Sequence, residues 1–349
     1  MRAAVCRAAG AVQIEQVATP TIGPGEILVR VTVCGVCGSD LVKLYHGDFT
    51  RPIVLGHEVV GIVTELGNGV TRVRRGQRVV VAHHVPCYAC HYCRHGSYSM
   101  CRTFKALNID PGGFAEYIRV PALNVEHAVF PIPPGLSDEE AAFTEPIACC
   151  LRALKRAPVQ FGDTVLVVGL GSIGLLMVAL ATLHRARVVG TDLLPDRLDL
   201  AKEFGAEVAV LAESEALHSA LREPSEGRGA DLAILTVGSP TAIHANLPLI
   251  RDGGTVLLFA SDPGAPTCPI DVDELYHREI TLMTSYSPST VELSGALDFL
   301  RAGTIPVERL VTHRLPLESI AEAFRLTKAH QALKVAVRVS PEPPNGIHS

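Results

Sequence analysis

The segment that most constrains the fold runs from residue 164 to residue 192. TVLVVGLGSIGLLMVALATLH starts as an apolar strand, passes through a glycine-rich turn and ends as an apolar helix. The Gly169-x-Gly171-x-x-Gly174 spacing allows a tight turn and close approach to a pyrophosphate at a helix N-terminus. A second strand, RVVGTD, ends at Asp192, 18 residues after Gly174, where a carboxylate can accept hydrogen bonds from an adenosine ribose. Together these features predict a dinucleotide-binding α/β unit.

Further alternation of helix and strand patterns extends this unit. A helix is predicted at Arg197–Phe204, and four more strands are predicted at Glu207–Val210, Asp231–Val237, Gly254–Phe259 and Ile280–Ser285. Fully apolar strands that alternate with helices are typical of a doubly wound parallel sheet. The sequence therefore predicts a domain of about six strands over residues 151–285.

Four cysteines form a strong metal-binding pattern within a predicted lobe at residues 83–105. They are separated by two, two and seven residues: Cys87, Cys90, Cys93 and Cys101. Four thiolates at such spacing can wrap one tetrahedral zinc ion in a closed site that does no chemistry. Disulfides or a chance cluster are the alternatives. Clustered cysteines in a long chain without an export signal favour the metal.

A second group of possible ligands is more widely spaced. The stretch CGVCGSDLVKLYHGDFTRPIVLGHE contains Cys37, Ser39, His57 and Glu58. Cys, His and carboxylate side chains are the usual ligands of a catalytic zinc, which keeps one position open. The gap between Cys37 and His57 is too long for a zinc finger, so separate loops must supply them. On these residues alone, a buried cysteine and a core histidine are equally plausible.

Glu145 is the other candidate ligand. Ser137 and the acids after it predict a helix start, and that helix is predicted to run on through residue 157. Glu145 lies in an apolar part of it, where an unpaired carboxylate would be costly. A metal ion is one possible partner.

The first part of the chain is predicted to form a small barrel. Short alternating runs broken by Pro and Gly predict antiparallel strands over residues 1–33, one of them at Glu26–Val33. Further β-branched runs after Glu58, separated by glycine turns, extend the barrel. Residues 111–134 are predicted to form two more strands.

Bulk properties exclude several classes of function. The 349 residues suffice for two domains, and the formal net charge of −5 argues against nucleic-acid binding and against a basic membrane patch. No apolar run has the length of a membrane span. The start of the chain lacks the apolar core of a signal peptide, so the expected location is the cytoplasm.

In their order along the chain, these motifs resemble those of the zinc-dependent medium-chain alcohol dehydrogenases. The Glu145-Pro146 pair is similar to the sorbitol (L-iditol) dehydrogenase branch, since ethanol-type enzymes usually have Cys there. The resemblance implies a GroES-like β-barrel catalytic domain at 1–150 and 286–349, with a Rossmann domain at 151–285. It also implies NAD(P)-linked oxidation of an alcohol, and a homo-oligomer, either a dimer or a tetramer.

The resemblance also implies roles for individual residues. Cys37 and His57 would bind catalytic zinc, with Glu58 and Glu145 beside it, one ligating directly and the other acting through water; which does which stays open. Ser39 would begin a proton relay, and the four-cysteine lobe would hold a second, structural zinc. NAD is the expected cofactor, because Asp192 would repel a 2′-phosphate. The residues implied for its binding are Gly169, Gly171, Ser172, Ile173, Gly174, Asp192, Arg197, Val237 and Lys334.

One position departs from the family pattern. The family commonly has a histidine five residues after the first zinc-ligand cysteine, to pass the proton outward, and this chain has Val42 there. The relay would then end on the cofactor ribose, on water or on His46. The alternative for His46 is a loop histidine that faces solvent.

The expected substrate class is inferred from the two carboxylates beside the catalytic zinc. Two carboxylates make a harder, more oxygen-rich site, which suits a substrate with a second hydroxyl. A polyol, sugar or cyclitol is therefore expected, oxidised from a secondary alcohol to a ketone. A threonine-type amino alcohol is the alternative substrate. A non-catalytic zinc and nucleotide sensor and a metal-free enone or quinone reductase are the alternative functions.

Overall fold

The computed structural model describes residues 1–212 and 214–340. The end of the predicted catalytic segment, residues 341–349, lies outside the described residues. The chain divides into two compact units. One comprises Met1–Ala148 and Pro288–Ser349, and the other comprises Cys149–Ser287.

The elements are numbered in chain order. The strands are β1 (Arg2–Ala8), β2 (Ala11–Gln16), β3 (Ile27–Gly35), β4 (Ile53–Val54), β5 (Glu58–Leu66), β6 (Arg78–Ala82), β7 (Tyr117–Val120), β8 (Val129–Pro131), β9 (Thr164–Val168), β10 (Arg187–Asp192), β11 (Val208–Leu211), β12 (Ala230–Leu235), β13 (Ile250–Leu258), β14 (Thr281–Thr284), β15 (Val311–Pro316) and β16 (Lys334–Arg338). The α-helices are α1 (Gly38–His46), α2 (His91–Arg94), α3 (Arg102–Ala106), α4 (Ala122–His127), α5 (Asp138–Ala141), α6 (Thr144–Arg156), α7 (Ser172–Leu183), α8 (Asp196–Glu203), α9 (Ser214–Arg222), α10 (Pro240–Asn246), α11 (Val272–His277), α12 (Thr290–Ala302) and α13 (Ile320–Lys328).

The first unit is built on a seven-stranded sheet. Its strand order is β15-β16-β3-β5-β6-β8, and β7 also pairs with β3. A smaller sheet has the order β2-β1-β4. Alternate residues of β3, among them Val29 and Val31, point into a core that also contains Phe114 and Ile118. The apolar alternation seen in the sequence therefore closes a barrel-like core.

The register of the large sheet places four strand ends in one row. Gly35, the last residue of β3, pairs with Glu58 at the start of β5 and with Ala336 of β16. Glu58 pairs in turn with Ala82, the last residue of β6. Residues that follow β3 and β6, or precede β5 and β16, therefore meet at this edge of the sheet.

The second unit is a six-stranded parallel sheet in the order β11-β10-β9-β12-β13-β14. The central strand β9 is buried along its whole length, and nearly every side chain of α7 is buried or half-buried. Apolar residues on both faces are what a parallel sheet covered by helices requires. The predicted doubly wound α/β fold is confirmed.

One local prediction was wrong, and a second found its two strands but missed the helix between them. The helix predicted from Ser137 through residue 157 is two helices, α5 and α6, which are separated at residues 142 and 143. Pro146 lies in the first turn of α6, where its missing N–H does no harm, whereas it could not continue a helix from Ser137. The two strands predicted at 111–134 are separated by helix α4. Its buried residues Asn124 and Val125 precede buried Ala128 at helical spacing.

Candidate active site and metal centres

The row of strand ends brings three predicted ligands together in the first unit. Cys37 lies two residues after β3, His57 comes directly before β5, and Glu58 is the first residue of β5. One ligand atom from each of the three lies within 4.8 Å of the others. A thiol, an imidazole and a carboxylate at this separation suit one zinc ion with an open position.

Asp40 supports both ends of this cluster, and sequence reasoning missed it. Its carboxylate is fully buried in α1, where Oδ2 accepts a hydrogen bond from the Cys37 N–H at 3.0 Å and Oδ1 from the Gly56 N–H at 3.1 Å. Oδ1 also lies 3.2 Å from His57 Nδ1, within ion-pair distance but outside hydrogen-bond geometry. A carboxylate against the second nitrogen of a ligand histidine orients its ring.

The other nitrogen of His57 faces Ser39. Ser39 Oγ lies 3.4 Å from His57 Nε2, so the hydroxyl is beside the nitrogen that remains for a metal. Burial alone lowers the pKa of His57, but the charges of Asp40 and Cys37 outweigh it and hold this pKa well above its ordinary value. The pocket therefore favours a positive charge where the zinc would sit.

Glu58 is held in a buried ion pair with Lys334. Lys334 Nζ lies 2.7 and 2.8 Å from the two carboxylate oxygens of Glu58 and donates to the Val36 carbonyl at 3.2 Å. Both side chains are almost fully buried. Gly35 makes room for the pair, since a Cβ there would lie 1.9 Å from Glu58 Oε2. Lys334 was also predicted to bind the cofactor, and that role stays a prediction beside these contacts.

Glu145 lies in the first turn of α6 with an exposed fraction of 8%. Burial raises the pKa of Glu58, and the charge of Glu145 raises it further, although Lys334 opposes both. Burial lowers the pKa of Lys334, but the charges of Glu58 and, more weakly, Glu145 raise it above its ordinary value. Glu145 is therefore close enough to act electrostatically on this ion pair.

Two histidines extend the cluster beyond the predicted residues. His83 follows β6, and its ring centroid lies 4.9 Å from that of His57 and 4.0 Å from that of His84. His84 Nδ1 donates to the Leu107 carbonyl at 2.8 Å. Burial holds the pKa of His83 well below its ordinary value and lowers that of His84 to about 4. The adjacent pair in the sequence was a signal, but the strand register decides which member meets His57.

The proposed outward relay has no acceptor at Val42. Val42 has an exposed fraction of 39%, and His46 is an exposed residue at the end of α1. Neither residue has a hydrogen bond to Ser39 in the described part of the chain.

The four-cysteine lobe has the dimensions of a closed zinc site. Neighbouring sulfurs are 3.5 Å apart for Cys90 and Cys93, 3.6 Å for Cys87 and Cys101, and 4.0 Å for Cys87 and Cys93. Four Zn–S bonds of about 2.3 Å in a tetrahedron place sulfurs roughly 3.8 Å apart. These separations are far beyond an S–S bond, so the cysteines are free thiols.

The electrostatics of the lobe also suit a metal. Burial raises the pKa of the Cys101 thiol, but N–H groups of Cys87 and Phe104 outweigh it and lower this pKa to about 6. Burial raises the pKa of Cys93 to about 12. The lobe thus contains a stabilised thiolate beside a buried thiol that resists ionisation. A bound cation would favour the ionised form of both.

In the second unit, the glycine turn leaves space for a ligand. Gly169 has a φ of +88°, and a Cβ on Gly174 would lie 1.8 Å from the Gly169 carbonyl oxygen. A Cβ on Gly171, by contrast, would meet no atom closer than the Arg197 guanidinium at 3.5 Å. The buried Ser172 hydroxyl at the start of α7 has no hydrogen-bond partner in the described part of the chain. An open turn and a buried hydroxyl without a partner fit a pyrophosphate at the helix N-terminus.

The remaining predicted cofactor residues border this turn. Asp192 Oδ2 accepts from the Leu170 N–H at 2.6 Å, and Oδ1 accepts from the Leu194 N–H at 2.9 Å. Arg197 Nη1 lies 3.4 Å from Asp192 Oδ2. Ile173 is half-buried in the first turn of α7, and Val237 is exposed just after β12. Arg197 therefore brings a positive charge to the carboxylate that was expected to select against a phosphate.

Comparison with known families decides the classification. The model for "Alcohol dehydrogenase GroES-like domain" matches residues 23–134, and that for "Zinc-binding dehydrogenase" matches residues 172–302. The chain belongs to the zinc-dependent medium-chain alcohol dehydrogenases. This dehydrogenase is therefore an enzyme, as the motifs predicted.

Individual relatives match over nearly the full length. An erythritol/L-threitol dehydrogenase of Mycolicibacterium smegmatis is 33% identical, and the alignment covers 97% of this chain and 97% of the relative. A sorbitol dehydrogenase of Gallus gallus is 34% identical with 98% of both chains covered. A structure of a putative zinc-binding dehydrogenase from Sinorhizobium meliloti bound to NADP is 30% identical with a TM-score of 0.85, covering 97% of this chain and 98% of that one.

No helix in the described part of this dehydrogenase combines the length and the apolar character that crossing a membrane requires.

Proposed function

We propose that this dehydrogenase oxidises a polyhydroxylated secondary alcohol, such as a polyol, sugar or cyclitol, to its ketone with NAD. The observation that carries the proposal is the polar character of the buried cluster. Glu58 lies within reach of the ligand pair Cys37 and His57, and the charge of Glu145 acts on it. The relatives from Mycolicibacterium smegmatis and Gallus gallus are named for polyols, which supports the same class.

Cys37, His57 and Glu58 would hold the catalytic zinc, with Glu145 acting through bound water. The 4.8 Å cluster favours Glu58 as the direct ligand, and its oxygens keep lone pairs beyond those used by Lys334. The bidentate bond to Lys334 holds the carboxylate in place and offsets its charge.

The residues around the cluster have separate roles in the proposed reaction. When bound, zinc polarises the substrate hydroxyl and the nicotinamide accepts the hydride. Ser39 Oγ, which lies beside His57 Nε2, would accept the hydroxyl proton and pass its own proton to the next group in the relay. Asp40 holds the ring of His57 and the backbone of Cys37 in place. Because Val42 cannot carry a proton further, water, the ribose or His46 completes the transfer.

NAD is the proposed cofactor because Asp192 would bond the adenosine ribose and repel a 2′-phosphate. Asp192→Ala should lower the preference for NAD over NADP roughly 10- to 100-fold, since one hydrogen bond to a charged group contributes about 1.5–3 kcal/mol. Measurement of kcat/KM with both cofactors checks this.

Arg197 provides the matched control. Arg197→Ala removes the positive charge 3.4 Å from Asp192 and should strengthen the preference for NAD. Equal efficiency with NAD and NADP in the unmutated enzyme would contradict the assignment of NAD.

The substrate class is tested with pairs of alcohols that differ by one hydroxyl. A site that hydrogen-bonds a hydroxyl next to the reacting carbon leaves buried polar groups unpaired when that hydroxyl is missing. The deoxy analogue of the best polyol should therefore have a kcat/KM lower by about 10⁴-fold. Formation of NADH from polyols, cyclitols, sugars, amino alcohols and simple secondary alcohols gives the values.

Three outcomes would contradict the proposed substrate class or the proposed reaction. Turnover of 2-butanol as efficiently as the best polyol would exclude the polyol class. Preference for threonine would favour the amino-alcohol alternative, and binding of zinc and nucleotide without turnover of any alcohol would favour a sensor. A homo-oligomer and a cytoplasmic location remain part of the proposal.

A further inference from the structure

We propose that His83 hydrogen-bonds the substrate hydroxyl next to the reacting carbon, and so sets the specificity of this enzyme for polyols. This inference rests on the proposed function, because it assigns a residue to the second hydroxyl of the substrate.

His83 is a buried polar side chain that has no hydrogen bond to the protein among the described residues. Its exposed fraction is 8%, and neither ring nitrogen has a hydrogen bond within residues 1–212 and 214–340. It is also not among the buried side chains there whose polar atoms lack both a partner and accessible surface. Its ring nitrogens therefore retain a small accessible surface, through which a ligand could reach them. Burial of such a group without a hydrogen bond is unfavourable, which a ligand would relieve.

The sheet register places this imidazole beside the metal cluster. Ala82 pairs with Glu58 across β5 and β6, so His83 is the first residue beyond the strand on the cluster side. Its ring centroid lies 4.9 Å from that of His57. This separation places the imidazole next to the proposed metal ligand His57, where a group of the substrate beside the reacting carbon is expected to lie.

The ring of His83 is packed against a second aromatic ring. It packs on His84 at 4.0 Å, and the ring of His84 packs on that of Phe104 at 5.0 Å while its Nδ1 donates to the Leu107 carbonyl. Pre-organisation of this kind keeps the entropic cost of a new hydrogen bond low.

The chemistry of a neutral imidazole suits a hydroxyl. One ring nitrogen donates and the other accepts, so either role of an alcohol can be matched. A simple secondary alcohol would present only carbon atoms there, for which an apolar side chain would be the better neighbour. A partnerless histidine at this place therefore points to a substrate with an adjacent hydroxyl.

The test is His83→Phe, which keeps an aromatic ring of similar size and removes both hydrogen-bonding atoms. The quantity measured is kcat/KM for the best polyol divided by kcat/KM for its deoxy analogue. In His83→Phe this ratio should fall about 100-fold, through loss of activity on the polyol alone. His83→Asn keeps a donor and an acceptor and should retain much of the ratio.

His277→Phe is the matched control, because this side chain is 67% exposed on α11 and the ratio should not change. An unchanged ratio in His83→Phe, with a discriminating wild-type enzyme, overturns the inference and leaves the proposed function standing. A wild-type enzyme that does not discriminate overturns the proposed function and the inference with it. If His83→Phe fails to fold, a full wild-type ratio in His83→Ser, which has a shorter side chain, overturns the inference.

Discussion

Lys334→Met is expected to lower the free energy of unfolding by about 3–5 kcal/mol, because it leaves the buried Glu58 carboxylate without its cation. Nζ of Lys334 contacts both oxygens of Glu58 at 2.7 and 2.8 Å, and both side chains are nearly inaccessible. Methionine keeps the length of the apolar stem, so lost packing contributes little. Equilibrium urea unfolding of enzyme that has lost the catalytic zinc but keeps the metal of the four-cysteine lobe measures the change, because Glu58 then has no metal ion beside it.

Two further variants make this test specific to the buried pair. Glu58→Gln combined with Lys334→Met removes both charges and should recover most of the lost stability. Lys202→Met breaks an exposed pair, in which Lys202 Nζ lies 3.5 Å from Asp199, and should cost less than about 1 kcal/mol. Equal losses for Lys334→Met and Lys202→Met would show that the Glu58 pair is not a stabilising contact.

The purified enzyme is expected to contain two zinc ions per chain, and Cys93→Ser one. Cys93 is buried in the lobe, with its sulfur 3.5 Å from that of Cys90 and 4.0 Å from that of Cys87. A serine hydroxyl is a poor zinc ligand, and structural zinc contributes directly to folding. Metal analysis gives the zinc content, and thermal unfolding should show a large drop in midpoint.

The two sites should also differ in how they lose metal. A chelator should abolish activity before it unfolds the protein, because the open site exchanges faster than the closed one. Cys268→Ser, outside the lobe, should leave two zinc ions. Glu145→Gln should also retain both while it lowers activity, since Glu58 is the proposed direct ligand. A single zinc ion in fully active enzyme would contradict the two-site proposal.

Patterns that are local in sequence predicted much of this molecule. The apolar run of β9, the glycine turn and α7 follow one another without interruption, so the Rossmann-like sheet is recognisable from the order of residues alone. The cysteine lobe is equally local, because its four thiols lie within 15 residues. The predicted helix through residue 157 was wrong because Pro146 starts a new helix, which the apolar pattern does not reveal.

Residues that depend on strand register were not predictable in this way. Lys334 is 276 residues from Glu58, and nothing near either one indicates the other. The pair forms because β16 and β5 both flank β3, where Gly35 leaves room for the carboxylate. Asp40 was missed because its role depends on the loop that carries Gly56 and His57.

Short motifs were sufficient to predict the family, the two kinds of domain and the candidate ligands, because spacing and residue type express those properties directly. The contacts between distant residues were visible only in the folded molecule. Lys334 contacts Glu58, Asp40 contacts His57, and the ring of His83 lies beside that of His57. These contacts depend on the pairing of strands that are far apart in the chain, and no short motif around any one of these residues identifies its partner.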